Sequence, residues 1–231
     1  AMFLVFGVHA SESVYSDGTL NFLFKNETDR LSVSFMSSFS RYGVDLYVMA
    51  SAFLLLPLKT DSKTFFKRRF TRVVIPFVFW LLMYAFLPCL WGACDVAQLK
   101  DYLVQLCVNT IPPANHLWFI YMLIGLYMLM PILSPWLKQV SRRGEECFLL
   151  VWLLTTVISF IHDRFGYMYG EMPGYPYGMF YYFSGFIGFL VLAHYIRNYV
   201  NWSMKKTLII SIPLFLAGYA MCVYSFYNRS F

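Results

Sequence analysis

The sequence predicts an all-α fold, a polytopic transmembrane helix bundle of about seven helices, and three observations carry that prediction. Of the 231 residues, 59% are apolar and 21% aromatic. Charged residues make up only 13%, against about a quarter in a soluble globular domain. The apolar residues gather into runs approaching the roughly 20 residues that cross a bilayer, with short polar connections between them. The net charge of +6 sits in short clusters between those runs, not along a binding stripe, so a nucleic-acid-binding role is excluded. Cysteines at 89, 94, 107, 147 and 222 show neither paired metal-ligand spacing nor an even count. Neither a metal site nor a disulfide framework is expected, although Cys94 and Cys107 can pair within one connection.

Taken in order, helix one covers Ala1 to Val14, but its apolar part ends at Ala10. That is about ten residues, or roughly 15 Å of rise against a hydrocarbon core near 30 Å, so a segment before Ala1 is expected. No secretory leader is visible. A polar segment from Tyr15 to Ser40 reads as a connection. Helix two runs from Arg41 to Leu58, helix three from Phe65 to Leu90, helix four from His116 to Leu137, helix five from Cys147 to Ile161, helix six from Tyr177 to Ile196 and helix seven from Thr207 to Tyr227. The connections Lys59–Arg72, Lys138–Glu146 and Arg197–Lys206 fall on one side and hold 12 of the 18 Lys and Arg residues. By the positive-inside rule that side is cytoplasmic. The opposite side carries eight of the twelve acidic residues and a Tyr-, Gly- and Pro-rich connection, His162 to Pro176, suited to an interfacial aromatic belt or to stacking on sugar rings. With no internal repeat or soluble portion, residues 1–231 read as one membrane domain.

The densest chemistry lies at Lys63–Pro76, KTFFKRRFTRVVIP. On a helix, Arg68, Arg69 and Arg72 stand four and three residues apart and share a face, a geometry suited to phosphate oxygens. Pro76 removes one backbone donor four residues past Arg72, which predicts a kink there. The same cluster also reads as a topology signal beside a cytoplasmic helix end. His9 and Asp45 are ionisable groups inside membrane helices, where such groups are expensive. Their distances from the outward helix ends put them at similar depth, so a carboxylate can orient an imidazole that serves as general base. The structural readings are a hydrogen-bonded packing histidine and a local Asp45–Arg41 ion pair. His116 and Trp118 head helix four in NHLWFIY, as acceptor contacts or as belt residues. Gly185 and Gly188 in SGFIGF suit close helix packing.

Four stretches in order, FLVFGVHASES, GVDLYVMASAFLL, FFKRRFTRVVIP and HLWFIYMLIGLYMLMPIL, resemble the integral-membrane acyltransferase 3 family, whose bacterial members O-acetylate cell-surface sugars. The resemblance covers essentially the whole chain. It places the family's helix-one histidine on His9 and its RxxR pair on Arg69 and Arg72. It implies a bacterial inner-membrane protein that takes acyl-CoA at the cytoplasmic mouth and passes an acetyl group to a hydroxyl of a sugar or polysaccharide precursor, with no metal. Acetyl-CoA is then the acyl donor, gripped by Arg68, Arg69 and Arg72. Two departures stand out: the family's arginine eleven positions before the histidine falls upstream of Ala1, and its Ser-Gly-Phe is Ser51-Ala52-Phe53 here. Family members usually have about ten helices, so a continuation past Phe231 is also expected. The alternatives are an anion transporter or channel using the same arginines, and a non-catalytic partner in polysaccharide assembly.

Overall fold

A computed structural model describes residues 2–15, 24, 26–107, 110–165 and 185–229. The described residues hold no strand. In chain order they form α1 (Met2–Tyr15), α2 (Glu27–Ser40), α3 (Gly43–Leu55), α4 (Ser62–Arg69), a π-helical segment (Phe70–Val74), α5 (Ile75–Leu90), α6 (Val96–Gln105), a 3₁₀ turn (Pro112–Leu117), α7 (Trp118–Gln139), α8 (Arg142–Phe165), α9 (Ile187–Tyr199) and α10 (Met204–Arg229). Among these residues, Ser62–Leu90, Pro112–Gln139 and Met204–Asn228 are long and apolar enough to cross a membrane. The chain forms two compact bodies, Ala1–Leu54 with Glu145–Phe231, and Leu55–Gly144. Most of the Tyr-, Gly- and Pro-rich connection and the start of the expected sixth helix lie outside the described residues.

The first body corrects the reading of Tyr15–Ser40 as a connection, because its second half is α2. Asn26 caps this helix, its Oδ1 accepting the Asp29 amide at 2.7 Å, and Glu27 and Asp29 occupy the positive end of the helix dipole. The buried residues Arg30, Ser34, Ser37 and Ser38 recur at helical spacing, so the inward face is polar. Hydropathy does not detect such a helix. Two small-residue contacts bring α1 close. A methyl group on Gly43 would meet the Val5 backbone nitrogen at 2.7 Å, and one on Gly7 would meet Ser40 Oγ at 2.9 Å.

The other side of α2 carries α10. Phe39 stands edge-on to Phe215 and Tyr219, and the Tyr219 hydroxyl donates to Phe35 O at 2.9 Å. Towards the C-terminal end of α10, buried Arg30 donates Nε to Tyr227 O at 3.2 Å and Nη2 to the same oxygen. Its guanidinium lies 3.7 Å from the Tyr227 ring centroid, and the Tyr227 hydroxyl donates to Glu27 Oε1. A cation on the last-turn carbonyls satisfies acceptors that the helix cannot satisfy itself.

α8, which belongs to this body from Glu145 onward, starts at Arg142, five residues before the expected Cys147, because Ser141 Oγ accepts the Gly144 amide at 3.2 Å and opens the helix early. The two glycines of SGFIGF divide their work. Gly188 leaves room for the Trp152 ring, with which an added methyl would overlap. Gly185, expected to allow close packing, instead adopts φ +85° and turns its carbonyl to accept Trp152 Nε1 at 2.8 Å.

The second body is built on one continuous helical rod, α4 through α5. Asp61 caps its start, Oδ2 accepting the Thr64 amide at 3.0 Å. Phe77, Leu81 and Ala85 of α5 pack with Ile111 and Ala114, and Tyr121 of α7 sets its ring edge-on to Phe77 at 4.8 Å. Ser134 Oγ accepts the Leu58 amide at 2.8 Å, tying the approach to α4 onto α7. The connection after α5, expected to be irregular, contains α6, with Asp95 Oδ1 accepting the Gln98 amide at 2.7 Å. The cysteine expectation is corrected here. Cys89 is bonded to Cys94, whose Cα atoms lie 4.5 Å apart across a tight turn, and Cys107 is a free thiol.

Candidate active site

Arg68, Arg69 and Arg72 lie where the rod changes character. The kink expected from Pro76 takes the form of the π segment, in which the Ile75 amide bonds Phe70 O, five residues back. An α-helical Pro76 would leave the Arg72 carbonyl without a donor and press its ring against it. The wider turn relieves this and lets Pro76 stand in the first turn of a new α-helix, where an amide would have no partner anyway.

The inserted turn also changes how the arginines are presented. Arg68 and Arg72 are exposed and Arg69 is half-buried, so the shared face of three becomes two outward guanidiniums and one drawn inward. Arg69 Cζ lies 5.8 Å from the Phe65 ring centroid and 5.6 Å from that of Tyr127. Its Nε is buried and donates to no acceptor. Among the described residues, no carboxylate pairs with any of the three. The aromatic rings hold Arg69 without neutralising it, so the mouth keeps its positive field for an anion.

His9 is half-buried on α1 and Asp45 is half-buried on α3, both in the first body. Both therefore lie on elements of one body. The close approaches of Gly43 to Val5 and of Gly7 to Ser40 show that α1 runs antiparallel to this part of the chain. Those contacts pair α1 with the end of α2 and the start of α3, the stretch that carries Asp45.

His116 and Trp118 belong to the second body. His116 sits in the 3₁₀ turn with its ring edge-on to Tyr84 of α5, centroids 5.0 Å apart. Trp118 opens α7 and is 42% exposed.

A buried ionisable pair escaped the sequence reading. His194 Nδ1 lies 3.0 Å from Glu145 Oε2, with Glu145 at 0% exposure and His194 at 5%. Beside it the Tyr195 hydroxyl donates to Glu146 Oε1 at 2.7 Å. Glu145 is in the first turn of α8, where the helix dipole favours a carboxylate. The signal was Ser141 followed by two glutamates, a helix-start pattern inside a stretch read as a cytoplasmic connection.

Among curated proteins and among solved structures, none matches the chain. A family model described as an acyltransferase domain matches residues 1–231, spanning every element above. With its apolar spanning helices and its unneutralised arginine mouth, the chain belongs to the membrane-bound acyltransferase 3 family.

Proposed function

We propose that the protein is an O-acetyltransferase of the bacterial inner membrane that moves an acetyl group from acetyl-CoA, bound on the cytoplasmic side, to a hydroxyl of a cell-surface sugar or polysaccharide precursor. The observation that carries the reading furthest, beyond family membership, is the unneutralised trio at the mouth, with one arginine donor buried and unaccepted. Phosphate oxygens of CoA supply the acceptors that Arg68, Arg69 and Arg72 lack. The bilayer-spanning helices then let the thioester enter an apolar interior while the charged head stays at the basic side.

In the transfer, His9 takes the proton of the acceptor hydroxyl as its oxygen attacks the acetyl carbonyl. The C–S bond breaks, and the imidazolium returns the proton to the leaving thiolate. Asp45 orients the imidazole and favours its protonated form. Exposed Trp118, with His116 beside it, offers the acceptor sugar a stacking surface.

The test is transfer from labelled acetyl-CoA by the purified full-length protein. His9→Ala should lower the rate by about a hundredfold or more with folding intact, and Asp45→Asn by about tenfold. Wild-type transfer by His9→Ala sinks the assignment of the base.

A further inference from the structure

Between α3 and α9 of the first body lies an open groove of about 400 Å³. Leu46, Phe53, Leu54 and Ile196 wall it, and Ala50 and Ala193 form a floor that larger side chains would fill. No lining side chain carries a hydrogen-bonding group, so a polar solute gains nothing there and a hydrocarbon chain loses no partner. From Leu46 to Leu54 the groove follows α3 for eight residues, about 12 Å, close to the roughly 15 Å depth of one bilayer leaflet.

A cation marks one end of this groove. Arg197 Nη1 donates to Phe53 O at 2.7 Å, and its guanidinium lies 5.6 Å from the Phe53 ring centroid. Phe53 O belongs to the last turn of α3, where helix carbonyls lack internal donors, so the bond fixes the guanidinium at the groove's end. In the same connection, Lys206 Nζ lies 5.1 Å from the ring centroid of Trp202, a pairing typical of the headgroup level. An apolar channel of single-leaflet length with a fixed cation at its polar end has the shape and charge of one lipid.

We propose that this groove seats an acyl chain of an anionic phospholipid from the leaflet on the basic side, with the lipid phosphate held by Arg197. None of its lining residues is among those assigned to acetyl transfer. Its occupant would cover side chains such as Leu54, otherwise 78% exposed.

The experiment reconstitutes the full-length protein in nanodiscs of equal phosphatidylglycerol and phosphatidylcholine and reads retained lipid by native mass spectrometry. Wild type should keep one phosphatidylglycerol per chain, enriched about tenfold over phosphatidylcholine, as one charge-assisted contact allows. Arg197→Gln should bring the two lipids to parity. Ala50→Trp, at an exposed position that disturbs no packed core, should abolish retention with the cation still present, and it decides the matter alone should Arg197→Gln unfold. Equal retention of both lipids by wild type, or undiminished enrichment in either folded variant, overturns the proposal. So does one-for-one release of the lipid by acetyl-CoA, which would give the groove to the acyl donor.

Discussion

Arg30 in the first body and Arg69 in the second are both drawn in from solvent and both lie against a tyrosine ring, at 3.7 Å and 5.6 Å. They are employed in opposite ways. Arg30 spends Nε and Nη2 on the Tyr227 carbonyl, and its buried Nη1, which makes no hydrogen bond, stands 3.7 Å from the Glu27 carboxylate, so it joins α2 to the end of α10 with a counter-charge beside it. Arg69 has rings for neighbours, no carboxylate, and a buried Nε that no acceptor meets. A guanidinium with a carboxylate beside it is a joint; one held in place without a carboxylate keeps its charge for an anion, as the proposed CoA site requires. The Glu145–His194 pair falls on the joint side of this division and the exposed Arg68 and Arg72 on the other.

The largest effect should come from breaking the most deeply buried joint. Glu145→Ala leaves His194 without its partner and should cost about 3–5 kcal/mol, read as a lowered unfolding temperature in detergent, whereas replacing both residues by leucine should restore much of it. Arg30→Ala should follow at about 1.5–3 kcal/mol, since hydrogen bonds from a charged donor are lost. Arg69→Ala supplies the contrast: stability near wild type, with acetyl-CoA affinity down about 10- to 100-fold in equilibrium binding. A matched loss of stability in Arg69→Ala would erase the distinction between the two arginines. Arg72→Lys should weaken acetyl-CoA binding by about tenfold although the charge is kept, because an ammonium cannot reproduce a bidentate fork.

The smallest effect concerns the cap of the rod. Hydrogen bonds from Thr64 hold the Asp61 carboxyl below its usual value. A carboxyl whose folded value is depressed contributes stability above its unfolded pKa, near 3.9, and loses it as pH falls through the folded value. Asp61→Asn should therefore differ slightly from wild type in unfolding temperature at pH 7 and converge with it at strongly acid pH. A gap that persists in acid would mean that the charge of Asp61 plays no part.

What the sequence revealed followed apolar surface. Ser62–Leu90, Trp118–Gln139 and Met204–Arg229 were legible because long apolar runs cannot be housed otherwise. α2 was not, because its inward face is Arg30, Ser34, Ser37 and Ser38, and a hydropathy reading takes buried serines for surface. Its Asn26 cap and the spacing of those four residues were the signals available. The Cys89–Cys94 bond was missed for a different reason: Pro88 and Gly92 close a turn that brings two nearby cysteines together, and spacing alone does not reveal turn geometry. At the mouth, residue identity and approximate position were legible. The division into two outward arginines and one inward depended on an inserted π turn, which has no period to detect.

That π turn also gives the rod a tolerance for one change in length. Five residues of π-helix, at roughly 4.4 per turn, sweep nearly the azimuth of four α-helical residues at about 100° each, so deleting one residue within Phe70–Val74 would resolve the segment to α-helix and leave Arg68 and Arg69 facing much as before. Adding one residue to the α-helical stretch just before Phe77 would instead swing the arginines by about 100° while Phe77, Leu81 and Ala85 kept their packing. Where the cations point is thus buffered against one loss at the mouth and exposed to a gain beside the core.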